Sequence, residues 1–311
     1  MTNLEYFASK KWGVFHHYLS RLQGNVQKPH NQGLGELPWT DIVDKFDVEK
    51  LAFTLYKMNV GYYFITLMQG TNAMLAPNAT YDSIAGTKPG EACARRDLPD
   101  ELFKALSKYN IDLCLYFTGD GPWTNDEIGC KFGFVHPRKN ISMDFCQKWS
   151  SVLAEYAERY GDKVKAWWID GCYRDYFGYT EEMYELYHNA ILKANPNALV
   201  GFNDGVKQFH TKNYSKETLI CGEFNSFDEL PRKGIINGAL AHTLAPLGYN
   251  PVPNDYGWGA PGIRHPEKFM ADYINAANTV GGVVSIDAMC YADGSFDPEQ
   301  EAVLLKIGEM I

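Results

Sequence analysis

Short runs of β-branched and aromatic residues alternate along this chain with stretches whose apolar residues recur at helical spacing, and that alternation constrains the fold most. Runs at 13–17, 62–67, 111–117, 164–169, 198–202, 218–224 and 282–287 read as strands, and 238–247 reads as a further one, seventh in chain order. Helices are predicted over 47–58, where Val48, Leu51, Ala52, Leu55 and Met58 share a face, and over 97–108 behind an N-cap at Asp97. Another starts at the cap Ser142 and carries Phe145, Trp149, Val152, Leu153, Tyr156 and Tyr160 on one side. Three more are predicted over 180–194, over 267–280 with Pro266 at N1, and over 297–311, where Asp297-Pro298-Glu299-Gln300 has a cap, a proline at N1 and a box residue at N3. The segment after the second strand, up to Arg96, reads as a long loop. Parallel strands need crossover connections, so about eight strand–helix units predict a single-domain α/β fold, a (β/α)8 TIM-like barrel, regular or distorted, over residues 1–311. An open doubly wound sheet is the alternative. Its nucleotide-binding form is disfavoured, because the first strand–helix junction has no G-x-G-x-x-G and the chain has no P-loop.

The charge balance is −9, with 29 Lys and Arg against 38 Asp and Glu. Such a surface repels nucleic acid and anionic membranes, so a neutral small molecule is the expected partner. The abundance of flat aromatic faces, 14% of residues, suits the apolar faces of sugar rings. The N-terminus lacks an apolar run behind a basic start, no stretch has transmembrane length, and the 7 cysteines are scattered. A reducing cytoplasm is therefore expected, although a trimmed export signal would leave the same sequence. Cys114 and Cys221 lie in apolar runs, where a thiol acts as a small hydrophobe.

Barrel active sites lie at the C-terminal ends of the strands, so the polar residues there are the candidates. Strand one ends in His16-His17, strand four in Trp168-Ile169-Asp170-Gly171, strand five in Asn203-Asp204, strand six in Glu223 and the last in Asp287. A carboxylate directly after an apolar strand is costly unless it is paired or used. Two carboxylates around one pocket are the equipment of glycoside hydrolysis, one attacking or activating water and the other donating a proton. Each acid taken alone could instead cap a helix. Adjacent histidines point to opposite sides of a strand, so only one of His16 and His17 can face a pocket. No H-E-x-x-H or similar cluster occurs, and neither a catalytic metal nor a cofactor is expected.

At these residues the chain resembles the α-L-fucosidases of glycoside hydrolase family 29. Lys11-Trp-Gly-Val-Phe-His-His-Tyr-Leu-Ser20 is similar to the family's opening strand, and His17 falls on its sugar-contacting histidine. Trp168-x-Asp170-Gly171 matches the W-x-D-G whose Asp is the nucleophile. Leu115-Tyr-Phe-Thr118, with Trp123 beyond, resembles the stretch whose tyrosine lines the pocket. Gly222-Glu-Phe-Asn-Ser-Phe-Asp-Glu-Leu-Pro231 resembles G-D-[FY]-x-T-P-E, Gly257-Trp258-Gly259 resembles W-G-Y, residues 281–287 resemble G-G-x-L-L-L-N, and Asp293-Gly294 matches the D-G before the last helix. The family's K-H-H-D-G-F falls on 68–73, where Gln69 and Gly70 replace both histidines. No arginine follows strand five at Asn203-Asp204-Gly205, and the β-sandwich that usually follows the family's barrel has no counterpart in these residues.

The resemblance implies a retaining α-glycosidase, with α-L-fucoside as substrate, Asp170 as nucleophile and Glu223 as acid/base. The acid/base varies in position within the family, and Glu217, Asp228 and Glu229 are rivals. His17, Trp39, Gln69, Tyr116, Trp168, Trp258 and Asp287 are the expected sugar contacts. Three other readings stay open: an exo-glycosidase for α-galactosides or another deoxysugar, a non-catalytic sugar-binding homologue, and a proton-abstracting isomerase. The last would more often need a metal or a lysine base, and no strand predicted here ends in one.

Overall fold

In the computed structural model, which describes residues 1–71, 73–134, 140–252 and 255–311, the predicted strands and helices are all present. Asn72, in the segment aligned with the family's histidines, lies outside the described residues. In chain order the elements are α1 (Asn3–Ser9), β1 (Trp12–His16), α2 (Trp39–Val43), α3 (Val48–Lys57), β2 (Tyr62–Met68), α4 (Ala79–Ala85), α5 (Leu98–Ser107), β3 (Asp112–Thr118), α6 (Asp126–Lys131) and α7 (Met143–Tyr160). Then come β4 (Val164–Asp170), α8 (Arg174–Phe177), α9 (Glu181–Ala194), β5 (Leu199–Phe202), β6 (Leu219–Glu223), β7 (Ile235–Ile236), β8 (Ala239–Pro246), α10 (Glu267–Thr279), β9 (Val283–Ala288) and α11 (Pro298–Glu309).

The strands pair in the order β5-β4-β3-β2-β1-β9-β8-β6, every neighbour parallel, and β7 only adds an antiparallel hairpin to β8. The two edges meet at a seam rather than a ladder. There Thr218 N–H donates to the Val200 carbonyl at 2.9 Å and Val200 N–H donates to Thr218 Oγ1 at 3.0 Å. The result is a nearly closed eight-stranded barrel. Gly201 makes the seam possible, because a Cβ there would lie 2.4 Å from the Leu219 carbonyl oxygen and 2.7 Å from Cys221 Sγ.

Strand periodicity sorts the side chains into two cores. Phe15, Tyr62, Phe64, Cys114, Tyr116, Ala166, Trp168, Leu199, Cys221, Leu240 and Leu244 fill the barrel interior, while the alternate residues pack outward against the helices. Each buried aromatic or aliphatic side chain contributes about 1.5–3 kcal/mol. Helix α1, absent from the sequence-based prediction, starts with a Thr2/Glu5 capping box and plugs the barrel floor with Phe7, whose ring lies 4.8 Å from that of Tyr62.

Some local expectations shift. The long segment before Arg96 contains α4, capped by Asn78, and Pro266 is the N-cap of α10 rather than N1. Ser142, Asp97 and Asp297 cap as expected. Gln300 does not close a capping box. Its amide accepts from Met289 N–H and donates to the Ala260 and Gly262 carbonyls, tying α11 to the loop that carries Trp258. All 7 cysteines are free, with Cys114 and Cys221 buried inside the barrel. Among the described residues no helix is long and apolar enough to cross a membrane.

Candidate active site

The interior register of four strands runs up to the same cavity. On β1 it carries Phe15 and then His17; on β4, Ala166, Trp168 and Asp170; on β5, Leu199, Gly201 and Asn203; on β6, Leu219, Cys221 and Glu223. Of these, Phe15, His17, Trp168, Asp170, Asn203 and Glu223, with Tyr116 of β3, line a cavity of about 410 Å³ at the C-terminal end of the barrel, a volume that suits a small molecule. His16 takes the opposite side of β1, as alternation requires. Its Nδ1 lies 3.0 Å from Tyr63 Oη and its ring packs on Phe296.

Asn203 joins the two strand-end carboxylates. Its Nδ2 donates to Asp170 Oδ1 at 2.7 Å and to Glu223 Oε2. Two oxygens bonded to the two hydrogens of one amide nitrogen stand roughly 4.5–5 Å apart. Asn203 is itself fixed: its backbone N–H donates to the Ile169 carbonyl at 2.7 Å, and its Oδ1 accepts from Gly205 N–H at 3.1 Å. Asp170 Oδ2 accepts from the Tyr116 hydroxyl, which burial and then the charge of Asp170 keep un-ionised. Tyr116 in turn accepts from Gln69 Nε2 at 2.8 Å, and Gln69 Oε1 accepts from Arg21. A four-residue chain of hydrogen bonds therefore ends on Asp170.

Burial first, and then the neighbouring charge of Asp170, raise the pKa of Glu223 above the carboxylate range; the Asn203 hydrogen bond and Lys207 partly offset this. One acid ionised and one held protonated is the arrangement that general acid catalysis needs. The glycine after Asp170 is required by geometry. Gly171 has φ +72°, and a Cβ there would meet the Asp120 carboxylate at 2.5 Å.

His17 Nδ1 lies 2.7 Å from Asp287 Oδ1, leaving Nε2 for the cavity. Asp287 is itself a correction. It is fully buried and does not line the cavity, and its other oxygen accepts from Gly259 N–H at 2.6 Å. It orients His17 and the Trp258 loop rather than a sugar. Trp39 is a second correction. Its indole donates to the Met74 carbonyl at 2.8 Å and packs on Tyr18 in the outer core, because α2 lies outside the barrel. Trp168, Trp258 and Gln69 do line the cavity.

Among the rivals to Glu223, Glu217 is buried away from the cavity and accepts from Asn213 N–H and Phe202 N–H, so it ties down the β5–β6 loop. Neither Asp228 nor Glu229 lines the cavity. Sequence reasoning named Asn203 as a polar strand end without giving it a role, and missed Arg21, Lys28 and Tyr173 as lining residues. Only Asn203 carried a signal, as a polar residue in the interior register of its strand. Among the described residues, no three His, Cys, Asp or Glu side chains cluster as a metal site would.

No protein-family model matches the chain, and no curated protein matches it by sequence. The fold is similar to an α-L-fucosidase from Lactobacillus casei in complex with its α-L-fucose product, at 16% identity and a TM-score of 0.67, covering 99% of this chain and 97% of that one. It is also similar to a family 29 α-L-fucosidase from Bacteroides thetaiotaomicron, trapped as a covalent intermediate with 2-fluoro-fucosyl fluoride in a Glu-to-Gln mutant. There the identity is 16% and the TM-score 0.62, over 99% of this chain and 74% of that one. A family 107 endo-fucoidan hydrolase gives a TM-score of 0.71 at 13% identity, over 99% and 53%.

Proposed function

We propose that this chain is a retaining exo-α-glycosidase of the α-L-fucosidase type. The observation that carries the reading is the pair of strand-end carboxylates, Asp170 and Glu223, bridged by the single amide nitrogen of Asn203. Two carboxylates near enough to share one amide nitrogen favour the retaining mechanism, whose carboxyl groups stand about 5–5.5 Å apart, over the inverting one, whose pair stands about 6.5–9.5 Å apart to admit a water. The trapped glycosyl intermediate of the Bacteroides relative supports the same chemistry for this fold.

In this reading, an oxygen of Asp170 attacks the anomeric carbon while Glu223 transfers its proton to the departing glycosidic oxygen. The glycosyl-enzyme ester forms and the leaving group departs as an alcohol. Glu223, now a carboxylate, takes a proton from water; the water oxygen attacks the anomeric carbon, and the Asp170 carboxylate is released. The Tyr116 and Asn203 hydrogen bonds hold Asp170 in one rotamer through both steps. His17 Nε2 and the faces of Trp168 and Trp258 bind hydroxyls and the ring.

One observation favours a sugar other than plain fucose within the same mechanism. The second family histidine has no room here, because Gly70 has φ +73° and a Cβ would sit 2.8 Å from the Trp123 indole. Gln69 is committed at both ends to Arg21 and Tyr116. The test is release of p-nitrophenol from the α-L-fucoside by wild type and Asp170→Asn, with the anomer first formed read by NMR. Release of the α-anomer, lost in the variant, supports the reading. Full activity in the variant overturns the nucleophile, and a β-anomer overturns retention.

A further inference from the structure

The cavity that holds the two carboxylates is also lined by two cations, Arg21 and Lys28, both on the segment that follows β1, and the charge of Asp170 acts on Arg21. Neither forms an ion pair with an acid among the described residues, and the eight residues outside the description include no acid. Other cations, such as Lys207 and Arg174, are paired with an acid. Among the described residues the one hydrogen bond of the Arg21 guanidinium goes to the neutral amide of Gln69. One such bond leaves most of its five N–H donors free, and the side chain is exposed to the cavity. Lys28 is likewise exposed, and its ammonium has no partner among the described residues.

The segment that presents them is rigidly built. Leu19 N–H donates to Gln23 Oε1 at 2.7 Å, and Gln23 Nε2 donates to the Cys290 carbonyl at 2.7 Å. Asn31 Nδ2 donates to the Gln23 carbonyl at 2.9 Å, and His30 Nε2 bonds the Gly259 carbonyl at 2.7 Å, beside Trp258. Lys28 N–H donates to the Asn25 carbonyl at 2.9 Å and leads into a 3-10 turn at Pro29–Asn31. A guanidinium fork and an ammonium together match an oxyanion.

We infer that Arg21 and Lys28 form an anion subsite, and that the natural glycan carries a sulfate ester or a carboxylate on the ring in the cavity or on its neighbour. The inference rests on reading the cavity as a sugar site.

The test has two arms. In the first, the full chain acts on p-nitrophenyl α-L-fucoside and on its 2-, 3- and 4-O-sulfates. The expected result is a kcat/KM at least about 10-fold higher for one sulfated isomer. That preference should fall towards unity in Arg21→Gln and in Lys28→Met, and also at high ionic strength. Faster turnover of the neutral parent than of every sulfate overturns the anion subsite while leaving the fucosidase reading in place. If no fucoside of either kind is turned over, the fucosidase reading fails and the second arm decides. In that arm the fluorescence of the cavity tryptophans is titrated with fucose against its sulfates and with glucose against glucuronate. Binding of one anionic sugar about 10-fold tighter than its neutral partner, lost in Lys28→Met, supports the subsite and tells sulfate from carboxylate. Equal binding within both pairs overturns it.

Discussion

Strands β2, β3 and β4 are each seven residues long and lead into helices that cover them, whereas β5 and β6 have four and five residues and lead into loops with no helix among the described residues. The candidate nucleophile belongs to the first half and the candidate acid/base to the second. Asp170 continues a ladder paired on both sides: Ile169 is in register with Phe117 and Phe202, and Asp170 with Thr118. Glu223 pairs with β8 on one side only and faces the seam on the other. The regular half fixes one carboxylate by main-chain geometry. The irregular half holds the other by side chains, chiefly Asn203 and the Lys207 neighbourhood, so an acid/base can change position without rebuilding the barrel.

The sharpest way to break this contrast is Glu223→Gln. Turnover of a sugar aglycone should drop on the order of 10³-fold, in the usual range for general acid catalysis. The first, glycosylation step on p-nitrophenyl substrates should drop far less, because nitrophenolate leaves without a proton. Glu217→Gln should spare the chemistry. The reverse pattern in pre-steady-state kinetics would move the acid/base to Glu217.

Asn203→Ala removes the bridge. A loss of roughly 10–100-fold in kcat is expected for a positioning hydrogen bond to each carboxylate. The pH profile carries the specific signature. Asn203 lowers the pKa of Glu223, so its loss raises that pKa. The acid must be protonated to act, and activity disappears as pH rises through its pKa, so the alkaline limb of kcat/KM should move to higher pH. An unmoved limb would show that Asn203 does not hold Glu223 in solution.

Gly201→Ala tests the seam itself. The added methyl meets the Leu219 carbonyl and Cys221, and about 1–3 kcal/mol of stability should be lost, lowering Tm by a few degrees. A glycine change in the β1–β4 half where a Cβ meets only ordinary van der Waals contact, such as Gly129→Ala in α6, should cost less, since the nearest atom lies at 3.4 Å. Equal melting temperatures for Gly201→Ala and wild type would mean that the seam is looser than drawn.

The smallest effect is expected from Lys207→Met. Lys207 lowers the pKa of Glu223 and pairs with Asp204, whose charge raises it. Removing the cation acts in one direction by both routes, so the alkaline limb should rise by less than about one pH unit with kcat at the optimum little changed. A downward shift of the limb would contradict the assignment of Glu223.

Period-two alternation allowed only one of His16 and His17 to face the pocket, because side-chain direction in a strand is a local property of the backbone; the family resemblance chose His17, and their place after apolar strands marked Asp170 and Glu223. The barrel was legible for a related reason: alternating elements admit few topologies. What needed the tertiary structure was every relation between residues distant in sequence. Asp287 follows the same period as Asp170, yet it is sealed beneath the Trp258 loop against His17. Glu217 and Glu223 are both acids beside β6, and only the fold of the β5–β6 loop turns one into the wall and the other into the cavity. Trp39 reads as a sugar platform until α2 packs it into the outer core. The sequence by itself determined the parallel sheet and the strand ends from which chemistry could come. The tertiary structure decided which of those ends meet, through Asn203, Tyr116 and the β1 segment, because hydrogen bonds across a barrel depend on distances that no local periodicity encodes.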